Sequence, residues 1–496
     1  MTTAVTSSQP ASEPQFFGHP RGLSTLFFTE MWERFSYYGM RGILVLFMVH
    51  ALETGGMGLT DGTAAAIYGM YTAGVYLFAL PGGWMADRLL GKRRAVFIGG
   101  MIIAAGHFTM AVPTTAFFFF GLILIVLGTG LLKPNVSAIV GDLYPDGGAR
   151  RDAGFSIFYM GINIGALLGP LLVGYLGENV SWHLGFSAAG VGMVLGLIQF
   201  KLGGKYLGSA GVLSEEAQGR TGAAWRTFAM GIAVVLVVAA ALFALSSAGT
   251  LTLTLQGAAQ ATGIIIVSLA IIYFIMALLF FGLDGDEKKR VMLIFVLFIG
   301  SAMFWAGFEQ AGSSMNLFAE RLTDRVIFGW EAPASWLQSI NPLFIIILAP
   351  VAGSLWIRLG DRDPSIATKF GIGLCLLGIG FLVLAWASVN ASDTNRVTPV
   401  WLIMTYFLHT CGELALSPVG LSSVTKLSPK RLVGQMMGIW FMGTALGNLI
   451  AGLVAGQFER LPLEQLFGAV AALAIGSGLI FLVLKAPISR LAGDVR

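Results

Sequence analysis

The chain has 496 residues, 56% of them apolar and only 11% charged, where ordinary soluble domains carry roughly a quarter charged residues. That balance excludes a soluble globular enzyme, and the formal net charge of +4 is accounted for by short basic loops, so it calls for no nucleic-acid partner. The two cysteines, Cys375 and Cys411, lie inside apolar runs without metal-ligand spacing, which excludes a disulfide framework.

A bilayer core about 30 Å thick takes about 20 apolar residues per helix. Runs of that kind fall at 22–50, 62–89, 93–112, 115–140, 153–176, 183–206, 224–247, 257–282, 290–319, 335–359, 366–388, 398–424, 432–456 and 463–486, which predicts fourteen membrane-spanning helices. The polar start, Met1 to Pro20, has no basic segment leading into a short apolar core, so the first span is expected to direct its own insertion.

The first span is the unusual one. Glu30, Glu33, Arg34, Tyr37 and Arg41 follow the i, i+3, i+4, i+7, i+11 spacing of one helix face, with Tyr38 beside them. Ionisable side chains at membrane depth are costly and line a substrate or ion pathway, so the stripe is expected to face away from lipid. Gly161, Gly165 and Gly169 in the fifth span form a small-xxx-small face, read as helix packing rather than chemistry.

Basic clusters at Arg88 to Arg94, Arg150–Arg151, Lys201–Lys205, Lys288–Arg290, Arg358–Arg362 and Lys426–Arg431 alternate with loops nearly free of Lys and Arg, such as 51–61 and 247–257. The positive-inside rule then puts the clusters and both termini in the cytoplasm. The chain also looks duplicated. Gly83 to Arg94, after the second span, and Gly353 to Arg362, after the tenth, both resemble the cytoplasmic loop signature of the major facilitator superfamily. The first copy has one extra residue before Gly91 and the second has Ile357 in place of the acid, so a gating network there is expected to rest on Asp87. The expected organisation is a tail at 1–21, a six-helix bundle at 22–206, a linker with two extra helices at 207–289, a second six-helix bundle at 290–486, and a tail at 487–496.

Glu30-Met31-Trp32-Glu33-Arg34-Phe35-Ser36-Tyr37-Tyr38-Gly39 matches the E-x-x-E-R-F-x-Y-Y-G motif of the proton-dependent oligopeptide transporter family. Gly128 to Ser137 in the fourth span and Phe155 to Gly165 in the fifth resemble two more of its signatures. Similar segments follow at Phe304 to Gln310, Gln338 to Phe344, Gly412 to Pro418 and Met437 to Phe441, in the family's order. The resemblance implies the all-α major facilitator fold with two inserted helices, a multi-pass protein of the bacterial cytoplasmic membrane that works as a monomer, and proton symport of di- and tripeptides. It implies no cofactor and no metal. The second span has no His, which animal members use in proton handling, so a His-independent, bacterial-type mechanism is implied.

The residue chemistry points the same way. A peptide is a zwitterion, so a general peptide site needs charge at both ends and tolerant walls between. Arg34 and Lys133 can hold a carboxylate, the first as a planar fork and the second as a point charge. By resemblance, Glu413 takes the amino terminus, with Ser417 one turn on. Asn163 and Asn341 can hydrogen-bond the peptide ends or amide, and Tyr37, Tyr38, Tyr68, Trp305 and Trp440 supply apolar walls with polar tips. Proton coupling needs an acid that gains and loses a salt bridge during the cycle, and Glu30 and Glu33 beside Arg34, with Lys133 opposite, fit that need. By resemblance, Arg41 pairs across the cavity with Glu309 to close an outer gate. A channel would share the polar stripe but not the duplicated halves, and an enzyme would need a nucleophile, metal cluster or phosphate loop that the sequence does not offer. A small anion such as nitrate, carried by plant relatives, is the alternative substrate.

Overall fold

The computed structural model describes residues 15–492 apart from 147, 251, 253, 393 and the Asp361 side chain, so positions 1–14 of the first expected tail and 493–496 of the second lie outside the described residues. The helices are α1 Gly22–Val49, α2 Asp61–Met85, α3 Lys92–Met110, α4 Thr115–Asp142, α5 Gly148–Asn179, α6 Trp182–Gly203, the short α7 Glu215–Gly219, α8 Thr221–Ser247 and α9 Leu255–Phe280. They continue as α10 Gly285–Phe308, the short α11 Ser314–Leu322, α12 Ile340–Leu359, α13 Ile366–Val389, α14 Val400–Leu427, α15 Val433–Ala455, α16 Leu463–Val483 and the short α17 Lys485–Ala492.

Among the described residues, fourteen helices have 19 residues or more. Eleven segments are long and apolar enough to cross a membrane by hydropathy alone. The three that fall short are α1, with Glu30, Glu33, Arg34 and Arg41, α3, which opens on Lys92-Arg93-Arg94, and α14, with Glu413 and Lys426. In α1 the charges fall in the middle of the span, where lipid would be least tolerant of them.

Two small antiparallel hairpins were not expected: β1 Gln15–Phe16 with β2 His19–Pro20, and β3 Val326–Ile327 with β4 Trp330–Glu331. A second departure is chemical in its consequence. The span expected as one helix at 290–319 breaks after Phe308 into a 3-10 turn, Glu309–Gly312, before α11 resumes. Likewise 334–339 winds as a 3-10 turn ahead of α12 rather than opening an α-helix at 335.

In the first half α1 packs on α5 and α6, α3 on α4 and α6, and α2 on α4; in the second, α13 packs on α14 and α16, and α10 on α15. The two halves meet where α2 lies along α15 and α5 along α12. The glycine stripe is the α1–α5 seam. A Cβ on Gly161 would press on Phe27, one on Gly165 would land on the Met31 carbonyl, and one on Gly169 would come within 2.5 Å of the Phe35 carbonyl. Their absence lets the two backbones touch and holds the charged face of α1 in place.

The inserted pair is asymmetric. Helix α9 packs on α15 and α2, but α8 buries only Ala224 and presents apolar side chains, Val234 to Val238 among them, on all sides. An all-round apolar helix of this kind is solvated by lipid.

Candidate functional site

Two layers of charge sit inside the bundle. The deeper one is built on a single stretch of α1, where one turn of helix brings Glu30, Glu33 and Arg34 together. Arg34 Nε lies 2.8 Å from Glu30 Oε1 and 2.7 Å from Glu33 Oε2, and all three side chains are 4% exposed or less. The Arg34 Nε–H donates to Glu30 Oε1, while Glu33 stands beside it as an ion pair only, leaving Glu30 Oε2, both Glu33 carboxylate oxygens and Arg34 Nη2 buried without a hydrogen-bond partner. A proton on either carboxyl would turn one of those acceptors into a donor.

Lys133 is placed differently from expectation. Among the described residues it makes no ion pair, and its Nζ stands 3.9 Å from the centroid of the Tyr76 ring on α2. The half-buried ammonium is thus held by an aromatic face rather than by Glu30 or Glu33. Tyr76 was missed because a lone Tyr in an apolar span gives no signal that it will cover a cation. Tyr71 was missed for the same reason; its ring stacks on Tyr37 at 6.3 Å, and its buried hydroxyl has no partner.

The second layer joins the halves. Arg41 Nη2 lies 3.2 Å from Glu309 Oε2, with both side chains about 95% buried (5% and 6% exposed). The break after α10 sets this geometry, because Glu309 caps the helix and opens the 3-10 turn. The Tyr68 hydroxyl, 3.4 Å from both the carbonyl and the carboxylate of Glu309, donates into the same corner. Gly312 closes over it, since a Cβ there would fall on the Tyr68 hydroxyl.

Across the bundle, α14 and α12 build a third cluster. Asn341 Nδ2 donates to Thr410 Oγ1 at 2.9 Å and to Glu413 Oε2 at 3.1 Å, and the Thr410 hydroxyl donates on to the Tyr406 carbonyl at 2.7 Å. Glu413 is 9% exposed, and no described residue donates to its other oxygen. An acceptor held by an amide on one side and open on the other suits a cationic ligand. Ser417 is half-buried one turn further along.

The remaining expected site residues make contacts within their own halves. Asn163 donates to the Tyr159 carbonyl of its own helix at 2.9 Å. The Trp440 ring packs over Gly420 and against Phe370, in the body of the second half, so it is core rather than cavity wall. Trp305 is half-buried, edge-on to Phe304 and Phe308. Tyr38 is half-buried, its ring 5.4 Å from the Arg41 guanidinium.

Asp87 corrects an expectation. It is exposed on a π-helical turn, Ala86–Leu90, and makes no ion pair among the described residues. The charge contact at that end is Lys92 with Asp142, at 2.9 Å, joining α3 to α4. Asp142 also accepts from the Gly211 amide at 3.2 Å, while Arg93 donates to the Gly208 carbonyl. The turn thus clamps the loop that leads to the inserted helices. Asp142 lies outside both loop signatures, so the motif did not mark it.

The face bearing the basic clusters and the face bearing the 51–60 loop are not alike. Among the described residues, every hydrogen bond between α1–α6 and the region 285–483 lies towards the second face. These include the Tyr68 hydroxyl to Glu309, Asn316 Nδ2 to the Gly42 carbonyl at 2.8 Å, and the two-pronged Arg321–Asp61 pair at 2.7 and 2.8 Å, and the Arg41–Glu309 ion pair lies with them. The described hydrogen bonds between the halves are thus gathered on that face.

Among the described residues no group of three or more His, Cys, Asp or Glu is placed to hold a metal ion. The model of the POT family matches residues 93–473. The chain is 41% identical to the peptide transporter YePEPT of Yersinia enterocolitica, over 99% of both chains, and 39% identical to the di-/tripeptide transporter of Lactococcus lactis subsp. cremoris, over 98% of this chain and 99% of that one. A crystal structure of peptide transporter POT in complex with sulfate superposes with a TM-score of 0.87 at 44% identity, covering 97% of each chain. The chain belongs to the POT family and is a multi-pass inner-membrane transporter with the all-α fold of the major facilitator superfamily.

Proposed function

We propose that the chain is a proton-coupled symporter that imports di- and tripeptides by alternating access, its moving parts being the bundles 22–206 and 290–486. The observation that carries this reading is the arrangement of charge. A cationic pole, Arg34 and Lys133, stands on the first half, and an anionic pole, Glu413 with Asn341, stands on the second. A zwitterionic peptide laid between the halves satisfies both poles at once, which links binding to closure of one half on the other. The names of the Yersinia and Lactococcus relatives, both peptide transporters, support the same substrate class.

The proton acts on Glu30 and Glu33. While both are ionised they compete for Arg34; protonating one frees the guanidinium to grip the peptide carboxylate, and proton release restores the competition. Arg41 and Glu309 form the outer gate, with Tyr68 bracing the acid. The positive-inside rule favours the cytoplasm for the face with the basic clusters and for both termini, which makes the face where the halves are joined by hydrogen bonds the outer one in this reading. Asn163 and Ser417, at the borders of the two poles, and the rings of Tyr37, Tyr38 and Trp305 line the space between them.

Purified protein in liposomes under an inward proton gradient is expected to take up di- and tripeptides and to leave free amino acids, sugars and nitrate outside. Uptake of nitrate without peptide would overturn the assignment. Lys133→Ala is expected to abolish gradient-driven accumulation and to retain only weak counterflow, because the carboxylate grip and the charge balance around Glu33 lose the same cation. Parent-level accumulation in that variant would assign Lys133 a packing role on Tyr76.

A further inference from the structure

The Arg41–Glu309 pair is not all that seals the outer face. A second seam joins α5 to the 3-10 turn 334–339. Glu178, near the end of α5, accepts from the Ala334 amide at 2.6 Å, from the Ser335 amide at 3.0 Å and from the Ser335 hydroxyl. Further down the same helix the Trp336 indole donates to the Leu171 carbonyl at 2.9 Å, and the Ser339 hydroxyl to the Leu167 carbonyl at 2.8 Å. Donors at 335, 336 and 339 thus meet α5 over three turns.

The seam depends on a missing side chain. A Cβ on Gly174 would land on Ser335 Oγ, and Gly42 on α1 leaves room for the Ser335 Cβ from the other side. Ser335 is fully buried in that notch. The turn 334–339 begins at Ala334, so the two amides that Glu178 holds are the unsatisfied N–H groups of its first residues. No Lys or Arg pairs with Glu178 among the described residues within 4.0 Å; only N–H and O–H dipoles hold its carboxylate. When α5 and α12 separate, Glu178 exchanges all of these donors for water in one step.

We propose that Glu178 is a positioning residue for the transport cycle: it latches α5 to the turn that opens α12, where Ser335 packs on Gly42, the residue after Arg41, and sets how readily that face opens. The proposal rests on the alternating-access reading above. Hydrogen bonds to a charged acceptor are the stronger kind, so loss of the carboxylate shifts a two-state gate by about tenfold or more.

The test reads the gate directly. Spin labels at the exposed positions Val180 and Phe328, in a Cys375→Ala, Cys411→Ala background, report the separation of the outer ends of the two halves in nanodiscs without substrate. Glu178→Ala is expected to raise the population of the long distance about tenfold, Ser335→Ala about threefold, and Gly174→Ala in the same direction by wedging the seam. Glu178→Gln, which keeps an acceptor, falls between parent and Glu178→Ala. In liposomes Glu178→Ala is expected to lower both the KM for external dipeptide and kcat, since more carriers face outward and fewer close. Simple loss of fold lowers kcat alone. Should Glu178→Ala be recovered unfolded, Ser335→Ala carries the test. Parent-like distances in the folded variants, with peptide transport intact in the parent, would overturn the latch and leave the transport reading standing. Absence of peptide transport in the parent would instead sink that reading, whatever the distances show.

Discussion

Glu413→Gln is expected to lose transport of peptides with a free amino terminus. The substitution is nearly isosteric and keeps a carbonyl oxygen for Asn341 Nδ2, which lies 3.1 Å from the carboxylate, so the α12–α14 contact survives. What it removes is the negative charge at a site only 9% exposed. An ammonium brought to such a place without its counter-charge loses its hydration and gains a dipole in return. Truncating one member of a desolvated charge pair costs about 2–5 kcal/mol, which is on the order of two to three decades in apparent affinity. Counterflow of a dipeptide in liposomes measures this as a rise in KM, whereas transport at the parent rate and KM would take Glu413 out of the site. Thr410→Ala is the companion control. It removes one acceptor from Asn341 and should shift KM several-fold at most, because the charge remains.

What the sequence disclosed and what it hid divide along a physical line. Helical periodicity is local, so the charged face of α1 and the fourteen long helices could be read from spacing and hydropathy. Cross-helix partners are not local. Arg41 and Glu309 are 268 positions apart, so only the family resemblance, not spacing, named them as partners, and the α10 end at Phe308 on which their approach depends is not announced by composition in the run Phe304 to Gly312. Lys133 on Tyr76 and Asp142 on Lys92 were hidden for the same reason, as each partner sits on another helix. Trp440 was misjudged because a ring at a helical position looks the same from sequence whether it faces a cavity or, as here, a glycine on the next helix. Glu178 carried no motif, since its donors are mostly backbone amides.

Glu309→Gln is expected to hold the outer gate open. Two unit charges 3.2 Å apart attract by about 5 kcal/mol at an effective dielectric near 20, offset in part by the loss of hydration on closing. The glutamine keeps the hydrogen bond from the Tyr68 hydroxyl but leaves Arg41 buried without a counter-charge. A lone guanidinium is stable only where water reaches it, so the outward-open arrangement, which hydrates Arg41, gains over the closed one. The same substitution mimics a carboxyl that has taken up its proton and cannot release it, and the variant should therefore lose proton-driven accumulation while retaining counterflow, which needs no net proton movement. Arg41→Ala removes the other half of the pair and should also favour opening, though less strongly, because Glu309 keeps the Tyr68 donor 3.4 Å away. Labels on the outer ends of α1 and α11 give the separation for each variant across a range of pH. Glu309→Gln should show the long separation where the parent shows the short one. A variant that tracks the parent in distance at every pH and still accumulates peptide would remove Glu309 from the gate and leave closure to the Arg321–Asp61 pair and the α5 seam.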